Sequence, residues 1–401
     1  MQLSIERLAL LLLIVAVIAM VARRLNFPYS VGLVLSGIAF ALLPFSPDIR
    51  LTRNLIFTVL LPPLIFEAAF HLHWSELRRQ LPVVLTMAVL GVWLSLTATA
   101  AGMHWLVGWD WTTALIFGAF ISATDPVSVI ATFREARARG RIKLLIESES
   151  LFNDGTAAVA FAVALGLLSS QAVSVMHSAV LFFATIAGGI LCGALVAAAI
   201  VLLMWRTNDH LIEQTFTMIA AYGSFLLAEQ FHCSGVLATL TTGLLVGNLG
   251  RLRVISDQGR KAVESLWEFA AFVANSLIFL LVGMRMAHQE LGLVWKEAIL
   301  AIAVVLASRA VAVYPCAAIF WPTRLRISGR DQHLLLWGGL RGALALALAL
   351  SLPDAMARRE EVIRITFAVV AFSICVQGSS LQPLLRRLGA VSQRTGATAA
   401  T

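Results

Sequence analysis

Long apolar stretches follow one another along almost the whole of this chain. About thirteen of them are close to the length of about 20 residues that an α-helix needs to cross a bilayer. Hydrophobic residues make up 59% of the chain, and only 13% of the residues are charged. The sequence therefore predicts an all-α polytopic membrane protein.

These stretches define the predicted spans, which are numbered here in chain order. They lie near residues 8–22, 29–45, 55–70, 81–107, 111–133, 144–168, 175–205, 211–228, 235–249, 266–286, 294–321, 334–352 and 363–385. Together they form one transmembrane domain, residues 1–391, followed by a short tail, residues 392–401. The four cysteines lie in or beside apolar segments and lack the spacing of a disulfide framework or a zinc site.

The lysines and arginines are distributed unevenly between the two sides of the predicted membrane domain. Loops on one side hold twenty of them, and loops on the other side hold seven. Because cations are enriched in cytoplasmic loops, this asymmetry places the N-terminus outside and the C-terminus in the cytoplasm. The net charge of +8 thus reflects orientation in a membrane and does not indicate nucleic-acid binding. Three arginines, Arg285, Arg309 and Arg341, lie within spans or at their edges.

The sixth predicted span carries an unusual number of polar side chains. Glu147, Ser150 and Asp154 are three or four residues apart, so they share one face of a helix. Glu149 and Asn153 form a second pair on a different face. Such groups either satisfy one another inside a bundle or mark an ion path, because a charge near the bilayer centre costs roughly 3 kcal/mol or more. Their number and their mid-span position favour an ion path.

Helix-breaking residues interrupt two of the spans. Pro126 follows Asp125 in the middle of the fifth span, and glycines surround Arg341 in the twelfth. Proline removes a backbone donor and keeps the preceding residue out of the helical conformation, which leaves carbonyls such as that of Thr124 available. Broken helices in corresponding places of two halves are typical of transporters with inverted repeats, and they point to the binding site.

These polar groups together resemble the ligand set of a monovalent cation. Hard cations prefer oxygen ligands. The candidate ligands are Asp154, Asp125, Ser150 and the Thr124 carbonyl. Glu67, which follows a double proline in the third span, is a further candidate ligand or gate; the alternative is an interfacial glutamate at the end of that span.

Two arginines at membrane depth require anions or carbonyls as partners. Glu149 is the natural partner for one of them. We assign Glu149 to Arg309 and predict that Arg341 braces the broken twelfth helix, although the sequence also allows the reverse assignment.

With these residues considered together, the chain resembles the NhaP-type sodium/proton antiporters, the electroneutral branch of the cation:proton antiporter superfamily that is related to the sodium/hydrogen exchangers. The resemblance covers nearly the whole chain. It rests on Leu61-Pro62-Pro63 with Phe66-Glu67, Thr124-Asp125-Pro126-Val127, Glu149-Ser150-Leu151-Phe152-Asn153-Asp154-Gly155, His232-Cys233-Ser234-Gly235, Asn275-Ser276-Leu277-Ile278-Phe279, Arg309, and Gly338-Gly339-Leu340-Arg341-Gly342-Ala343.

The resemblance implies a core bundle with two crossed, unwound helices, and a scaffold that forms a homodimer while the core moves. The core corresponds to residues roughly 81–170 and 293–388, and the scaffold to roughly 1–80 and 175–290. Asp154 is then the essential carboxylate. The resemblance assigns Asp125, Ser150, Glu67 and the Thr124 backbone to the ion site, Asn153 to its support, and Glu149 with Arg309 to the stability of the core.

Exchange follows if one site holds either a cation or a proton but not both. A buried Asp154 meets that condition, and Asn153 beside it does not titrate. We therefore predict electroneutral exchange of one Na⁺ for one H⁺, with pH and sodium homeostasis as its role, in a bacterial inner membrane. No cofactor is predicted. An enzyme is not expected either, since the chain has neither a His-Glu-x-x-His nor a Gly-x-Ser-x-Gly motif.

Three alternatives stay open at this point. Potassium or lithium would meet the same oxygens as sodium. A symporter of an organic anion with sodium would use broken helices too, but the paired Asp125 and Asp154 count against it. A gated cation channel is the third, and saturable flux that depends on a counter-ion would exclude it.

Overall fold

The computed structural model describes residues 5–25, 28–43, 54–125, 140–166, 175–249, 255–287 and 294–388, together with residues 52, 129, 289 and 292. Every regular element in these residues is helical. Pro126 and the predicted tail, residues 392–401, lie outside the described residues.

The helices of the described residues are labelled in chain order. They are α1 Ile5–Leu25, α2 Tyr29–Ala41, α3 Leu55–His71, α4 Trp74–Val107, α5 Trp111–Ile121, α6 Arg141–Gly166, α7 Val175–Met204, α8 His210–Gln230, α9 Gly235–Leu249, α10 Asp257–Ala287, α11 Trp295–Ile319, α12 Gly329–Trp337, α13 Ala343–Leu350 and α14 Arg359–Arg387.

The all-α membrane class is confirmed. Each predicted span overlaps a described helix, and α4, α7, α8, α10, α11 and α14 are long and apolar enough to cross a membrane by length and composition. Shorter apolar helices accompany them in α1, α2, α3, α5 and α9. The number of crossings, about thirteen, stays a prediction.

Several helices differ from the predicted spans, and α10, for example, begins at Asp257 and not near residue 266. Helix α4 begins at Trp74, earlier than residue 81, because the apolar pattern marks the part at membrane depth and not the polar first turns. Helix α5 ends at Ile121, well inside the fifth span. The twelfth span is split into α12 and α13, with non-helical backbone between Trp337 and Ala343.

Helices α3 and α14 each contain a π-helical segment next to an interruption. In α3 the π-helical turns Leu55–Leu60 precede Pro62 and Pro63, which lie in the first turn of the α-helical part. Proline inside a helix lacks an N–H and crowds the preceding turn, and here that preceding turn has the wider π-helical form. A second π-helical segment, Ser373–Gly378, interrupts α14 beside the broken twelfth span.

Glycines allow close packing between several helices. At Gly37 of α2 a Cβ would meet the backbone of Leu280 in α10, and at Gly283 of α10 it would meet the backbone of Val34. Small residues of this kind let helix backbones approach closely in membranes. Helix α9 packs in the same way on α3, where Gly247 faces the backbone of Phe70.

The helices that surround the two breaks pack together in a second region. Helix α4 lies against α5 and α11, α6 lies against α5, and α14 contacts α11 and α13. Asp110 begins α5 by accepting a hydrogen bond from the Thr113 N–H (2.9 Å), and Ser328 does the same for α12 with Asp331 (3.2 Å). Both capped helices lead directly into a break.

Candidate cation site

The two interrupted helices meet at their breaks. The Asp125 N–H, just beyond the end of α5, donates a hydrogen bond to the Leu340 carbonyl between α12 and α13 (2.7 Å). A backbone group freed by a break in one helix is therefore satisfied by a backbone group freed in the other. This is how irregular backbone is tolerated at membrane depth.

Arg341 extends from one break to the other. Its guanidinium is buried and donates from Nη1 to the carbonyls of Ser122 (2.7 Å) and Ala123 (3.1 Å). These carbonyls lie at the C-terminal end of α5, which carries the negative end of the helix dipole. These hydrogen bonds connect the non-helical backbone of the twelfth span to the end of α5. The role of Arg341 as a brace stays a prediction.

The π-helical segment of α14 holds both edges of the same break. Ser373 Oγ accepts the Arg341 N–H (2.8 Å) and donates to Gln377 Oε1 (2.7 Å). Gln377 Nε2 in turn donates to the Trp337 carbonyl at the end of α12 (3.4 Å). Sequence reasoning did not find Ser373 and Gln377. The available signal was two polar residues four apart in the last apolar span.

A small cavity of about 30 Å³ lies next to the breaks. Asp154, Asp125 and Thr124 line it, together with the first turn of α13 and the apolar face of α3 at Leu61 and Leu64. About 10–15 Å³ is enough for one water-sized sphere, so the cavity has room for one or two waters or a single dehydrated ion. A cavity of this size suits a small inorganic cation.

Asp154 presents an unused oxygen to this region. The residue is buried, with 6% of its surface exposed, and its Oδ1 has no hydrogen-bond partner among the described residues. A buried oxygen without a partner carries a cost unless a proton or a cation satisfies it. Asp154 is therefore poised to hold one of the two.

The residues next to Asp154 are held by a network of hydrogen bonds. Asn153 Oδ1 accepts the Thr124 N–H (3.2 Å), and Asn153 Nδ2 donates to Thr124 Oγ1 (2.7 Å) and to Glu149 Oε1 (2.9 Å). Thr124 Oγ1 also lies 2.9 Å from Ser150 Oγ. Both donors of Asn153 are thereby used, so Asn153 supports the unwound segment and has no hydrogen left for the cavity.

Glu149 and Arg309 form a buried bidentate ion pair. Arg309 Nη1 donates to Glu149 Oε1 (2.8 Å), and Nη2 donates to Oε2 (2.9 Å). Nη2 also reaches the Leu335 carbonyl in α12 (3.1 Å). The pair therefore links α6, α11 and the helix that leads into the second break.

Glu67 lies in the C-terminal half of α3. It does not line the cavity, although Leu64 and Ile65 of the same helix do. Its carboxyl is 3.6 Å from His71 Nδ1, and that nitrogen also lies 2.8 Å from the Glu67 carbonyl oxygen. The role of Glu67 as a further ligand or gate stays a prediction.

The site suits a single monovalent charge. Asp154 and Asp125 supply carboxylates, and the N-terminus of α13 begins beside Asp125, where the positive end of its dipole favours negative charge. Among the described residues no cluster of three or more His, Cys, Asp or Glu side chains forms a metal-binding group. Ser150, a further predicted ligand, does not line the cavity but contacts Thr124, which does.

The close approach of the two breaks requires a glycine at position 342, and this requirement can be tested. A Cβ on Gly342 would lie 2.5 Å from the Asp125 Cβ, so the two segments would have to separate. Because a misplacement of about 1 Å can cost about 10²-fold in a positioned site, Gly342→Ala is expected to reduce cation-dependent proton flux in vesicles at least about tenfold. Gly329→Ala, where a Cβ meets no atom within 4 Å, is the matched control and should retain wild-type flux. Equal flux in the two variants would contradict the requirement.

The chain also matches known proteins in sequence. The sequence model of the family described as sodium/hydrogen exchanger, transmembrane, matches residues 9–387. The chain is 37% identical to the Na⁺/H⁺ antiporter ApNhaP of Aphanothece halophytica, over 92% of this chain and 71% of that protein. It is 35% identical to the Na⁺/H⁺ antiporter NhaH of Halobacillus aidingensis, over 96% of this chain and 98% of that protein.

The fold also matches a solved structure. The sodium proton antiporter MjNhaP1 of Methanocaldococcus jannaschii superposes with a TM-score of 0.79 at 21% sequence identity. The match covers 96% of this chain and 98% of that chain.

Proposed function

The chain belongs to the sodium/hydrogen exchanger family, and we propose that it exchanges Na⁺ for H⁺ across a membrane at the cavity between Asp125 and Asp154. The observation that carries this proposal is the buried Asp154 Oδ1, which has no partner among the described residues and lies beside a cavity of about 30 Å³. A transporter of this family is a secondary carrier and not an enzyme.

Competition for Asp154 supplies the coupling. Bound Na⁺ favours the charged form of the Asp154 carboxylate. A proton on the same carboxylate removes the negative charge that Na⁺ needs. Asp125 and the oxygens of Thr124 and Ser150 complete the proposed ion site, and Asn153 contributes no proton. One cation therefore replaces one proton, and the exchange is electroneutral.

Alternating access requires one part of the molecule to move against another. We assign the core to residues roughly 81–170 and 293–388, and the scaffold to roughly 1–80 and 175–290. The packing of α4, α5, α6, α11 and α14 around the breaks supports the core, and the packing of α2 on α10 and of α9 on α3 supports the scaffold. The scaffold would form the homodimer.

Location and orientation are part of the same proposal. The protein would lie in a bacterial inner membrane, with its N-terminus outside and its C-terminus in the cytoplasm. The excess of lysine and arginine in alternate loops supports this orientation. The family does not favour an organic-anion symporter. Na⁺ as the exchanged cation is proposed from the names of the relatives, and K⁺ and Li⁺ would meet the same oxygens.

Vesicles that contain the purified protein and a pH-sensitive dye test the proposal. Adding Na⁺ outside acid-loaded vesicles should release dye quenching at a rate that saturates with Na⁺ concentration. The same measurement with K⁺ and then with Li⁺ ranks the three cations by the rate of exchange that each supports. Cation flux that proceeds without a counter-ion would indicate a channel and not an exchanger.

The stoichiometry is tested in the same vesicles with a dye that reports membrane potential. Exchange of one Na⁺ for one H⁺ moves no net charge, so we expect no potential during exchange and no change in rate when valinomycin clamps the potential. A rate that follows an imposed potential would contradict electroneutral exchange.

A further inference from the structure

A second and larger cavity lies outside the ion site. It is a groove of about 470 Å³ between α12 and the C-terminal end of α14. Its walls are apolar side chains, including Leu336 of α12 and Pro383 and Leu384 of α14. None of the residues that line the ion cavity belongs to it.

The polar side chains of Trp337 and Ser380, which line the groove, are already hydrogen-bonded. Trp337 Nε1 donates to Ser380 Oγ (2.9 Å), and Ser380 Oγ also bonds the Val376 carbonyl (2.5 Å). These atoms satisfy one another across the two helices. An apolar group can therefore lie against these helices without breaking a hydrogen bond.

The mouth of the groove is cationic. Arg387 lies seven residues beyond Ser380, which is about 10 Å along a helix at 1.5 Å per residue. Its guanidinium is exposed, and within the described part of the chain no carboxylate pairs with it. His333, also exposed at the groove, lies 3.0 Å from the Tyr314 hydroxyl through Nδ1. The groove therefore combines an apolar interior with a positive rim.

We propose that this groove binds an anionic phospholipid of the cytoplasmic leaflet. One acyl chain lies between Leu336 and Leu384, and the phosphate lies at Arg387. The cytoplasmic leaflet carries anionic lipids, and basic pockets between membrane helices on that side bind their head groups. A guanidinium suits this contact because it binds phosphate oxygens with two parallel hydrogen bonds.

The residues that follow α14 fit the groove less well. Residues 389–401 are mostly small or polar, and they include one larger aliphatic side chain, Val391, and one further cation, Arg394. Such a segment offers little apolar area to the walls, and its arginine would be repelled by Arg387. A lipid supplies both the apolar chain and the negative charge.

The bound lipid would contact the helix that leads into the ion site. Trp337 is the last residue of α12 before the break, and its carbonyl accepts the hydrogen bond from Gln377. The inference goes beyond antiport and does not depend on it, since lipid binding is measured without any ion flux.

Native mass spectrometry of the protein in a neutral detergent tests the site. Phosphatidylglycerol and phosphatidylcholine with the same acyl chains are added at equal concentration. One arginine contributes roughly 1 kcal/mol toward an anionic lipid, so phosphatidylglycerol should be retained about fivefold more than phosphatidylcholine. Arg387→Gln should remove this preference. Arg386→Gln is the matched control, because Arg386 is exposed next to Arg387 but does not line the groove, and it should keep the preference.

Two further variants test whether the lipid occupies the groove itself, each checked for a monodisperse size-exclusion profile. Leu384→Trp fills the groove while Arg387 remains, and it should lower retention of both lipids. A chain that ends at Leu388 should retain lipid as the wild type does. Equal losses in the Arg386 and Arg387 variants would overturn the proposal in favour of diffuse attraction. Wild-type retention in Leu384→Trp, or increased retention in the shortened chain, would also overturn it, the latter because residues 389–401 would then occupy the groove.

Discussion

Asp154→Asn is expected to abolish Na⁺-dependent proton flux in reconstituted vesicles, with a rate below about one hundredth of that of the wild type. The amide has nearly the same shape, so the cavity remains, but it can neither take a proton from solution nor neutralise a cation. A charge near the bilayer centre without compensation costs roughly 3 kcal/mol or more, which corresponds to more than about 100-fold in occupancy.

The matched control for this variant is Asp354→Asn. It makes the same chemical change at a side chain that is 99% exposed, where the ion pair with Arg359 (3.3 Å) contributes little. It should transport as the wild type does, and both variants should elute as the wild-type species in size exclusion. If Asp154→Asn retained pH-dependent exchange while folded, Asp154 would not be the exchanging group.

The fold was predictable because one property dominates it. Apolar length places a helix at membrane depth, and the predicted spans overlap described helices for that reason. The apolar pattern shows which residues lie at membrane depth and not where a helix ends. It therefore missed that α4 begins at Trp74, before a turn of polar residues. Gly338, Gly339 and Gly342 predicted the break in the twelfth span. The length of the break depends on contacts with Ser373, which lies too far along the chain for a local sequence pattern to include it.

Part of the candidate site was predictable for a different reason. Asp154, Asp125 and Asn153 are polar where the chain is otherwise apolar, and the cost of burial makes each of them conspicuous. Their grouping depends on the hydrogen bonds between Asn153 and Thr124, two residues far apart in sequence. Gln377 was missed because burying one uncharged amide in an apolar span costs little free energy. Such a residue looks like an ordinary contact between helices.

The choice between Arg309 and Arg341 as partner of Glu149 shows the same limit. Both arginines lie in spans, and either charge would satisfy the carboxylate. The structure separates them by what else is near: Arg341 reaches the carbonyls at the end of α5, whereas Arg309 reaches Glu149 and the Leu335 carbonyl. Three-dimensional proximity of backbone carbonyls is not encoded in residue type.

Breaking the Glu149–Arg309 pair is expected to have the largest effect on stability. Glu149→Gln removes the charge opposite a buried guanidinium, of which only 7% of the side chain is exposed. An uncompensated buried charge of this kind destabilises a fold by about 3–5 kcal/mol. We expect a clear fall in the midpoint of thermal unfolding in detergent, followed by tryptophan fluorescence. Glu264→Gln, which removes the exposed pair with Arg260, should change the midpoint little, since such surface pairs contribute about 0–1 kcal/mol.

The double variant Glu149→Gln with Arg309→Gln separates the pair from simple loss of packing. With both charges removed no buried ion is left unpaired, so the double variant should be more stable than the sum of the two single losses predicts. Flux should stay low even so, because Arg309 also holds the Leu335 carbonyl two residues before the end of α12. Strict additivity of the two losses would show that the charges do not interact, and the ion pair would then not be what holds α6 to α11.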